Sequence, residues 1–404
     1  MLKKPSYEHA RELLLSVVAP IDTARVPLSC CGGRILAQEL IASEDVPTFD
    51  RSPYDGYAVR ASDTLFAAKD HPVSLCIIEE IPAGYVPTKT VIPGTAAKIL
   101  TGAPIPSGAD AVVMFEKTEF TREAVTLFAP LQAGDNIVLR GEDVRRGTVL
   151  AQSGTPIDPG LAGTLAAQKE SAPLVFRKPK VALISTGSEL VEADAAPECG
   201  RIRNTNRYAL EVLLTQLGCE PVYYGIAGDS VEEISALLEQ GLTQCDAVIT
   251  TGGVSVGDYD LTPAAMESLG VEILVRSVDM KPGMACAYGV KDGKLVCGLS
   301  GNPAAALTNL YAVALPALRK LTGRRECLPR EFTVTLSDGF KKNSSVMRFL
   351  RGTLEIANGK ACMRLSPDQG NGILSSMIGC NMMAVVPAGS GPLEAGTVLK
   401  GFLL

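Results

Sequence analysis

The spacing of apolar positions changes from one stretch of the chain to the next. Leu13, Leu14, Val17 and Val18 recur at helical spacing behind Glu8, Arg11 and Glu12, which predicts an amphipathic helix over residues 1–20. The same charges interrupt the apolar run and separate it from a secretory leader. Short apolar runs broken by Gly and Pro follow, about ten residues apart, in the rhythm of a β-rich region. They are "RILAQELIA", "GYAVRASDT", "VSLCIIEEI", "AAKILTGAPIP", "ADAVVMFEKTEF", "AVTLFAP", "NIVLRGEDV" and "GTVLAQSGTPI". "DPGLAGTLAAQ", from Asp158, reads as a short capped helix. The first 175 residues are therefore expected to form more than one β-rich lobe.

From "RKPKVALISTGSEL" onward, strand and helix patterns alternate. "VALIS" precedes a helix from Asn206 to Leu217 stopped by Gly218, then "PVYYGI". A helix opened by the capping box Ser230-x-x-Glu233 leads to "DAVIT", a glycine-rich loop, a helix over 262–269 and "VEILVR". Such alternation predicts a mostly parallel sheet with helices on both faces and a ligand site at the carboxyl ends of its strands. "ACAYGVKDGKLVCGL" reads as a hairpin turning at Asp292-Gly293. Asn302 is then expected to cap a helix with Pro303 in its first position, leaving free amides on the same rim as the glycine loop. The last 75 residues return to β patterns, with a turn at Asn358-Gly359, and predict a small closed or half-closed barrel.

Composition narrows the chemistry. A chain of 404 residues, 46% hydrophobic and 20% charged, is too long for one core and predicts about three domains of roughly 150 residues. With 38 Lys plus Arg against 44 Asp plus Glu, a net charge of -6 and no Trp, it lacks the basic and base-stacking surfaces that nucleic acid requires. No run approaches the roughly 20 apolar residues of a membrane span, so a cytoplasmic protein is expected. Eleven cysteines with no Cys-x-x-Cys spacing read as reduced core thiols. The only histidines are His9 and His71, which excludes a Ser/His/Asp triad or a His-rich zinc site in the glycine-loop region. Carboxylates, hydroxyls, Lys, Arg and a hard cation held by oxygen ligands remain.

The loop "TTGGVSVGDYD", residues 250–260, follows a strand and suits backbone amides approaching a phosphate. Asp258 and Asp260 would repel that phosphate unless a cation lay between them. Glu189 in "STGSEL" stands just after a strand, as a functional acid or as a charge on a helix start; Asp229 is a site acid or a helix initiator. Lys281 before Pro-Gly is a surface residue or a point charge for a pyrophosphate.

"PTFDRSPYDGYAVR", "KILTGAPIPSGADAVVMFE", "GEDVRRG", "STGSEL", "TTGGVSVGDYD", "MKPGMACAYG", "LSGNPAAAL" and "FLRG" together resemble the molybdopterin molybdenumtransferases, the molybdenum insertases called MoeA in bacteria and the E domain of gephyrin in animals. The resemblance runs in order over nearly the whole chain. "STGSEL" and "GGVSVGD" also mark molybdopterin adenylyltransferases and CinA-like proteins; the amino-terminal blocks and the carboxyl-terminal barrel separate this chain from both. The fold implied is multidomain: a central molybdopterin-binding α/β domain with a mostly parallel sheet, β-rich amino-terminal lobes and a small carboxyl-terminal β-barrel. Its expected parts are 1–27 with 46–141, 28–45 with 142–176, 177–326 and 327–404.

The resemblance implies a homodimer, served by a molybdopterin adenylyltransferase upstream. Its reaction is magnesium-assisted insertion of molybdate into the dithiolene of adenylylated molybdopterin, with release of AMP. Catalytic roles fall to Asp55, Thr101, Asp143, Glu189, Asp258, Asp260 and Lys281, with Glu189, Asp258 and Asp260 as metal ligands. Asp55, Thr101 and Asp143 would act from an amino-terminal lobe facing the molybdopterin-binding domain of the other subunit. Binding falls to Ser185, Thr186, Gly187, Asp229, Gly252, Gly253, Ser255, Gly257, Arg276, Ser300, Gly301, Asn302, Pro303 and Arg351. Three positions depart from the pattern. Ser300 replaces a frequent proline and is expected to loosen its loop, Met284 replaces a lysine, and Asn371 stands where serine is common; all three bear on the choice between molybdate and tungstate. The rival readings are a CinA-like nucleotide pyrophosphatase or amidohydrolase, and a non-catalytic scaffold.

Overall fold

The computed structural model describes residues 4–196, 198–254, 261–357 and 359–404. The chain divides into two compact units, one of Met1–Gln38, Ser153–Ala162 and Ala172–Leu404, the other of Glu39–Gln152 and Gly163–Ser171.

The first unit is built on a six-stranded sheet in the order Glu220–Ala227, Lys180–Thr186, Ala247–Thr251, Lys294–Leu299, Ala285–Lys291, Glu272–Ser277. The first four strands run parallel, and Ala285–Lys291 runs antiparallel to both of its neighbours. The apolar runs lack alternation because both faces are covered. Val181 and Leu183 point to one core with Leu210, Leu213 and Leu214 of the helix Thr205–Gln216. Ala182 and Ile184 point to another with Ile234 and Leu238 of Val231–Gln244 and Ala265 and Met266 of Leu261–Ser268.

Local signals place the ends of these elements. Asn204 caps Thr205–Gln216 through the Arg207 amide (3.3 Å), and Gly218 leaves it with φ +83°. Ser230 accepts from the Glu233 amide (3.1 Å), but Glu233 reaches past the cap to the Gly228 amide (2.7 Å), so the expected capping box is half formed. Positive φ at Asp292 (51°) and Gly293 (76°) makes the predicted hairpin turn. The helix Pro303–Asn309 runs through a π turn, Leu310–Ala314, into Leu315–Leu321. The wide turn precedes Pro316, which cannot donate to the helix ladder.

The amino-terminal helix covers Tyr7–Val17, shorter than residues 1–20, because Pro20 bars its continuation. Tyr7 meets Phe349 of the carboxyl-terminal domain edge-to-face at 5.0 Å. That domain is a closed five-stranded barrel in the order Met347–Ala357, Lys360–Leu365, Glu331–Leu336, Val398–Leu403, Met382–Val386, returning to the first strand. Closure leaves no free edge, and Leu336, Leu350, Met363, Met382 and Val386 fill the interior. Met280–Lys281 adds a parallel segment to Met347–Ala357 and ties the barrel to the α/β sheet. The Asn358 half of the predicted turn lies outside the described residues.

The second unit holds a mixed six-stranded sheet in the order Ala111–Met114, Gly56–Val59, Thr95–Ile99, Val73–Ile81, Ala124–Leu127, Thr118–Phe120. "NIVLRGEDV" forms only isolated bridges, at Val138 and Val144. Side-chain bonds help hold this segment instead of a ladder: Asp50 accepts from the Arg140 amide (2.7 Å) and Asp45 from Arg140 Nε (2.6 Å). All eleven cysteines are free; Cys30, Cys76 and Cys199 are exposed, so the core-thiol expectation fails for these three.

In the first unit, Asp246 takes a two-pronged bond from Arg177 (2.9 and 2.9 Å) and one from the Lys180 amide (2.7 Å). Burial raises the Asp246 pKa, but the Arg177 and Lys180 bonds outweigh it and hold the carboxyl below its usual range. A lowered folded pKa stabilises above the unfolded value, about 3.9, and that stabilisation is lost as pH falls through the folded one. Asp246→Asn is therefore expected to cost about 1–2 kcal/mol at neutral pH. The gap between variant and wild-type thermal midpoints should close below about pH 4; a gap independent of pH would refute this account.

Candidate functional site

A cavity of about 950 Å³ opens at the carboxyl ends of Lys180–Thr186, Ala247–Thr251 and Lys294–Leu299. Its shape depends on strand ends approaching closer than side chains allow. Gly252 has φ +97°, and a Cβ there would lie 2.4 Å from the Thr186 carbonyl oxygen. Gly253 has φ +64°, and its Cβ would lie 2.6 Å from Thr262 Oγ1. The Thr186 hydroxyl donates to the Thr251 carbonyl (3.2 Å) and Thr262 Oγ1 to that of Gly252 (3.0 Å), so both strand exits are fastened.

Carboxylates and cations meet on these walls. Glu189 folds back over Gly187, whose absent Cβ would fall 2.4 Å from Glu189 Oε2. Asp229 lines the cavity and accepts from both the amide and the hydroxyl of Ser188, tying the "STGSEL" loop to the end of the neighbouring strand. Lys281 is exposed into the cavity from the turn Lys281–Met284. Behind that turn, the fully buried Asn309 donates to the Gly283 carbonyl (2.5 Å) and accepts from the Tyr288 hydroxyl. Arg201, Ile202, Arg203, Asn204, Thr205 and Asn206 supply a further wall.

Several expectations change. Ser185 is buried and receives Asn204 Nδ2 (2.9 Å); it is not among the lining residues and supports the floor from beneath. Ser300 accepts from the Asn302 amide (3.2 Å), so its hydroxyl tightens the loop rather than loosening it. Asn302 makes no side-chain cap, and the Ala305 amide is taken by the Asn371 carbonyl (3.2 Å). With Pro303 lacking a donor, the helix start offers an anion little, contrary to the expected free amides. Gly301, Asn302 and Pro303 line the cavity all the same. Arg276 lies on the strand Glu272–Ser277, outside the lining.

Arg351 is fully buried in the barrel and does not line the cavity. Its Nε donates to Ser376 Oγ (3.2 Å) and its Nη2 to the carbonyls of Gly370 (3.1 Å) and Asp368 (3.4 Å). It thereby braces the loop that brings Asn371 and Gly372 to the cavity. Asp55, Thr101 and Asp143 belong to the other unit, where Asp55 Oδ1 accepts from the amide and the hydroxyl of Thr101 (2.7 Å each). Those two bonds hold its carboxyl below the usual range. Ser255, Gly257, Asp258 and Asp260 lie outside the described residues.

Known proteins carry the same combination. Residues 5–168 match the MoeA N-terminal region (domain I and II), 182–320 a probable molybdopterin binding domain, and 333–403 the MoeA C-terminal region (domain IV). The chain is 37% identical over 373 residues to a molybdopterin molybdenumtransferase of Staphylococcus epidermidis, covering 92% of this chain and 88% of that one. A Staphylococcus aureus protein of the same name is 36% identical over 362 residues, 90% and 86% of the two chains. The chain belongs to the molybdopterin molybdenumtransferase family. It is a transferase of molybdenum cofactor biosynthesis. In structure it is similar to a molybdopterin biosynthesis MoeA protein from Pyrococcus horikoshii, with a TM-score of 0.85 at 32% identity over 99% of this chain and 100% of the other.

Against that family background, the wall from Arg201 to Asn206 is what sequence reasoning missed. "RIRNTN" carries two cations and two amides in six residues just after Gly200, a polar density that could have marked it.

If close approach at Gly252 shapes the cavity, Gly252→Ala should cost more than the roughly 1–2 kcal/mol of a left-handed backbone alone. Gly359→Ala supplies the comparison, since its φ is +73° with nothing within 4 Å of its absent Cβ. Thermal unfolding of the two variants measures the difference; equal losses would mean that the contact with Thr186 does not matter.

Proposed function

We propose that this chain inserts molybdate into the dithiolene of adenylylated molybdopterin, releasing AMP as the phosphoanhydride is cleaved. One observation carries the reading: a single cavity, walled by glycine turns, presents both carboxylates and cations to an anionic ligand. Glycine turns at strand ends admit phosphate close to the backbone, and Lys281 supplies a mobile point charge. Thr186, Gly187, Gly252, Gly253, Ser300 and Gly301 bind and orient the substrate, with Ser185 behind them. Arg351 serves through the loop it braces.

Glu189 and Asp229 are hard oxygen donors, and among the described residues neither histidine nor cysteine lines the cavity, a set that fits magnesium and not zinc. Among the described residues no group of three metal-ligating side chains is assembled. We assign Asp258 and Asp260 to complete the set with Glu189. A magnesium ion held there would supply positive charge against the phosphates. Asp229 meanwhile keeps the "STGSEL" loop in place through Ser188.

The four-part division expected from sequence is retained as a proposal, as are a cytoplasmic setting and a molybdopterin adenylyltransferase supplying the substrate. No helix among the described residues is long and apolar enough to cross a membrane. We also propose a homodimer, in which Asp55, Thr101 and Asp143 act on the molybdopterin-binding domain of the other subunit. Light scattering of the purified chain should then give twice the mass of one chain, 42.4 kDa, at micromolar concentration. A mass of one chain would refute it.

The reaction itself is tested by following AMP. Adenylylated molybdopterin should release AMP only when molybdate and magnesium are both present, and chelator should abolish release. Release without molybdate would favour the nucleotide pyrophosphatase; no release under any condition would favour the scaffold.

A further inference from the structure

We propose that a second pocket, where the end of the helix Leu315–Leu321 meets the loop at Gly154 and the strand Val398–Leu403, binds a small organic phosphate through Arg319, Arg324 and Arg325. The proposed insertion reaction makes no use of this pocket, and the two readings stand or fall separately.

The pocket has a volume of about 700 Å³, and among the described residues it shares no lining residue with the substrate cavity. Its walls all belong to the first unit. Arg319 enters from the last turn of Leu315–Leu321, and Arg324 and Arg325 from the turn that follows. Backbone bonds set that turn. The Arg324 amide donates to the Arg319 carbonyl (3.1 Å), the Gly323 amide to that of Lys320 (2.9 Å), and the Arg325 amide to that of Gly154 (3.1 Å). Gly154, with φ +89°, lets the two loops touch, since a Cβ there would lie 2.7 Å from that of Arg325.

The charge gathered here is not answered by the protein. Arg319 is half-buried; its Nη1 donates to the Cys327 carbonyl (3.3 Å), and its Nε is buried with no partner among the described residues. Burial, and after it the like charge of Arg324, hold the Arg319 pKa below the usual arginine value. The acidic side chain among the described lining residues, Glu326, is taken by Arg330 (2.8 Å). None of Arg319, Arg324 and Arg325 forms a salt bridge among the described residues. A helix end favours nearby cations, but the carbonyls of Arg319 and Lys320 are already met by the two amides above. A half-buried guanidinium beside a second one carries a desolvation and repulsion cost that a bound anion relieves.

The shape and lining select the anion. A carboxylate's two oxygens match one guanidinium, whereas a tetrahedral phosphate presents oxygens in enough directions for three. The room exceeds that of a bare ion, and Pro156, Leu328, Pro329 and Leu403 supply an apolar wall, so the phosphate is expected to carry an organic group.

The probes are inorganic phosphate and phenyl phosphate, titrated by calorimetry into the full-length protein carrying Lys281→Ala, which weakens phosphate binding in the substrate cavity. Phenyl phosphate should bind more tightly than inorganic phosphate. Arg319→Met and Arg324→Ala, each added to that background, should weaken phenyl phosphate binding by about tenfold, the loss expected for a charged hydrogen bond. Thermal unfolding gives an independent readout: phenyl phosphate should raise the midpoint of the Lys281→Ala protein and leave that of the Arg319→Met double variant in place. Should Arg319→Met fail to fold, Arg324→Ala and the exposed Arg325→Ala carry the test. Absence of binding to the Lys281→Ala protein, or unchanged affinity in the arginine variants, would overturn the site. Equal affinity for the two probes would overturn the assignment of an organic phosphate.

Discussion

The cavity depends on one constraint: the ends of two parallel strands must come closer than any Cβ permits. At Gly252 the backbone lies against the Thr186 carbonyl, and at Gly253 against Thr262. Everything that reaches the ligand follows from that approach. With those side chains absent, the exits of Lys180–Thr186 and Ala247–Thr251 are fastened by two hydroxyl-to-carbonyl bonds and their turns face one space. The glycines cost unfolded-state entropy, and the sheet's two apolar cores supply what offsets it.

Placing acids beside an anion site raises a second problem, which local bonds solve. A carboxylate in a loop swings unless held. Asp229 is held by Ser188, and Glu233 by the Gly228 amide immediately before it. These two bonds fix successive residues of the same strand exit, so the acid facing the cavity does not depend on the ligand for its position. Preorganisation of this kind lets charge act without reorganising as the reaction proceeds. The same logic extends to the barrel: the buried Arg351 makes its bonds to a loop, and the loop makes the contact with the helix start through Asn371.

The strand and helix order of the α/β domain was legible in the sequence because its signals are local. Buried parallel strands read as unbroken apolar runs, and caps such as Asn204 and Ser230 sit where the pattern begins. The barrel was legible as strands, while its closure depends on pairing between Met347–Ala357 and Met382–Val386, which no local pattern encodes. Misreadings arose where a side chain had more than one available partner. Glu233 satisfied Gly228 instead of its own cap, and the segment over 136–144 was held through Arg140 by Asp45 and Asp50 rather than by a ladder.

Arg351 shows why the candidate site was harder to read than the fold. An arginine in a motif attracts a ligand-binding interpretation, since its charge suits an anion. In the structure three carbonyl or hydroxyl acceptors meet its Nε and Nη2, its buried Nη1 has no partner among the described residues, and the side chain lies behind the loop rather than in the cavity. Arg201 and Arg203 present the reverse case, exposed cations with no ion pair among the described residues, in a stretch whose period gave no reason to look. The type of residue names the chemistry that is available. Its burial and its existing partners determine whether that chemistry is spent on holding the protein together or left for a substrate.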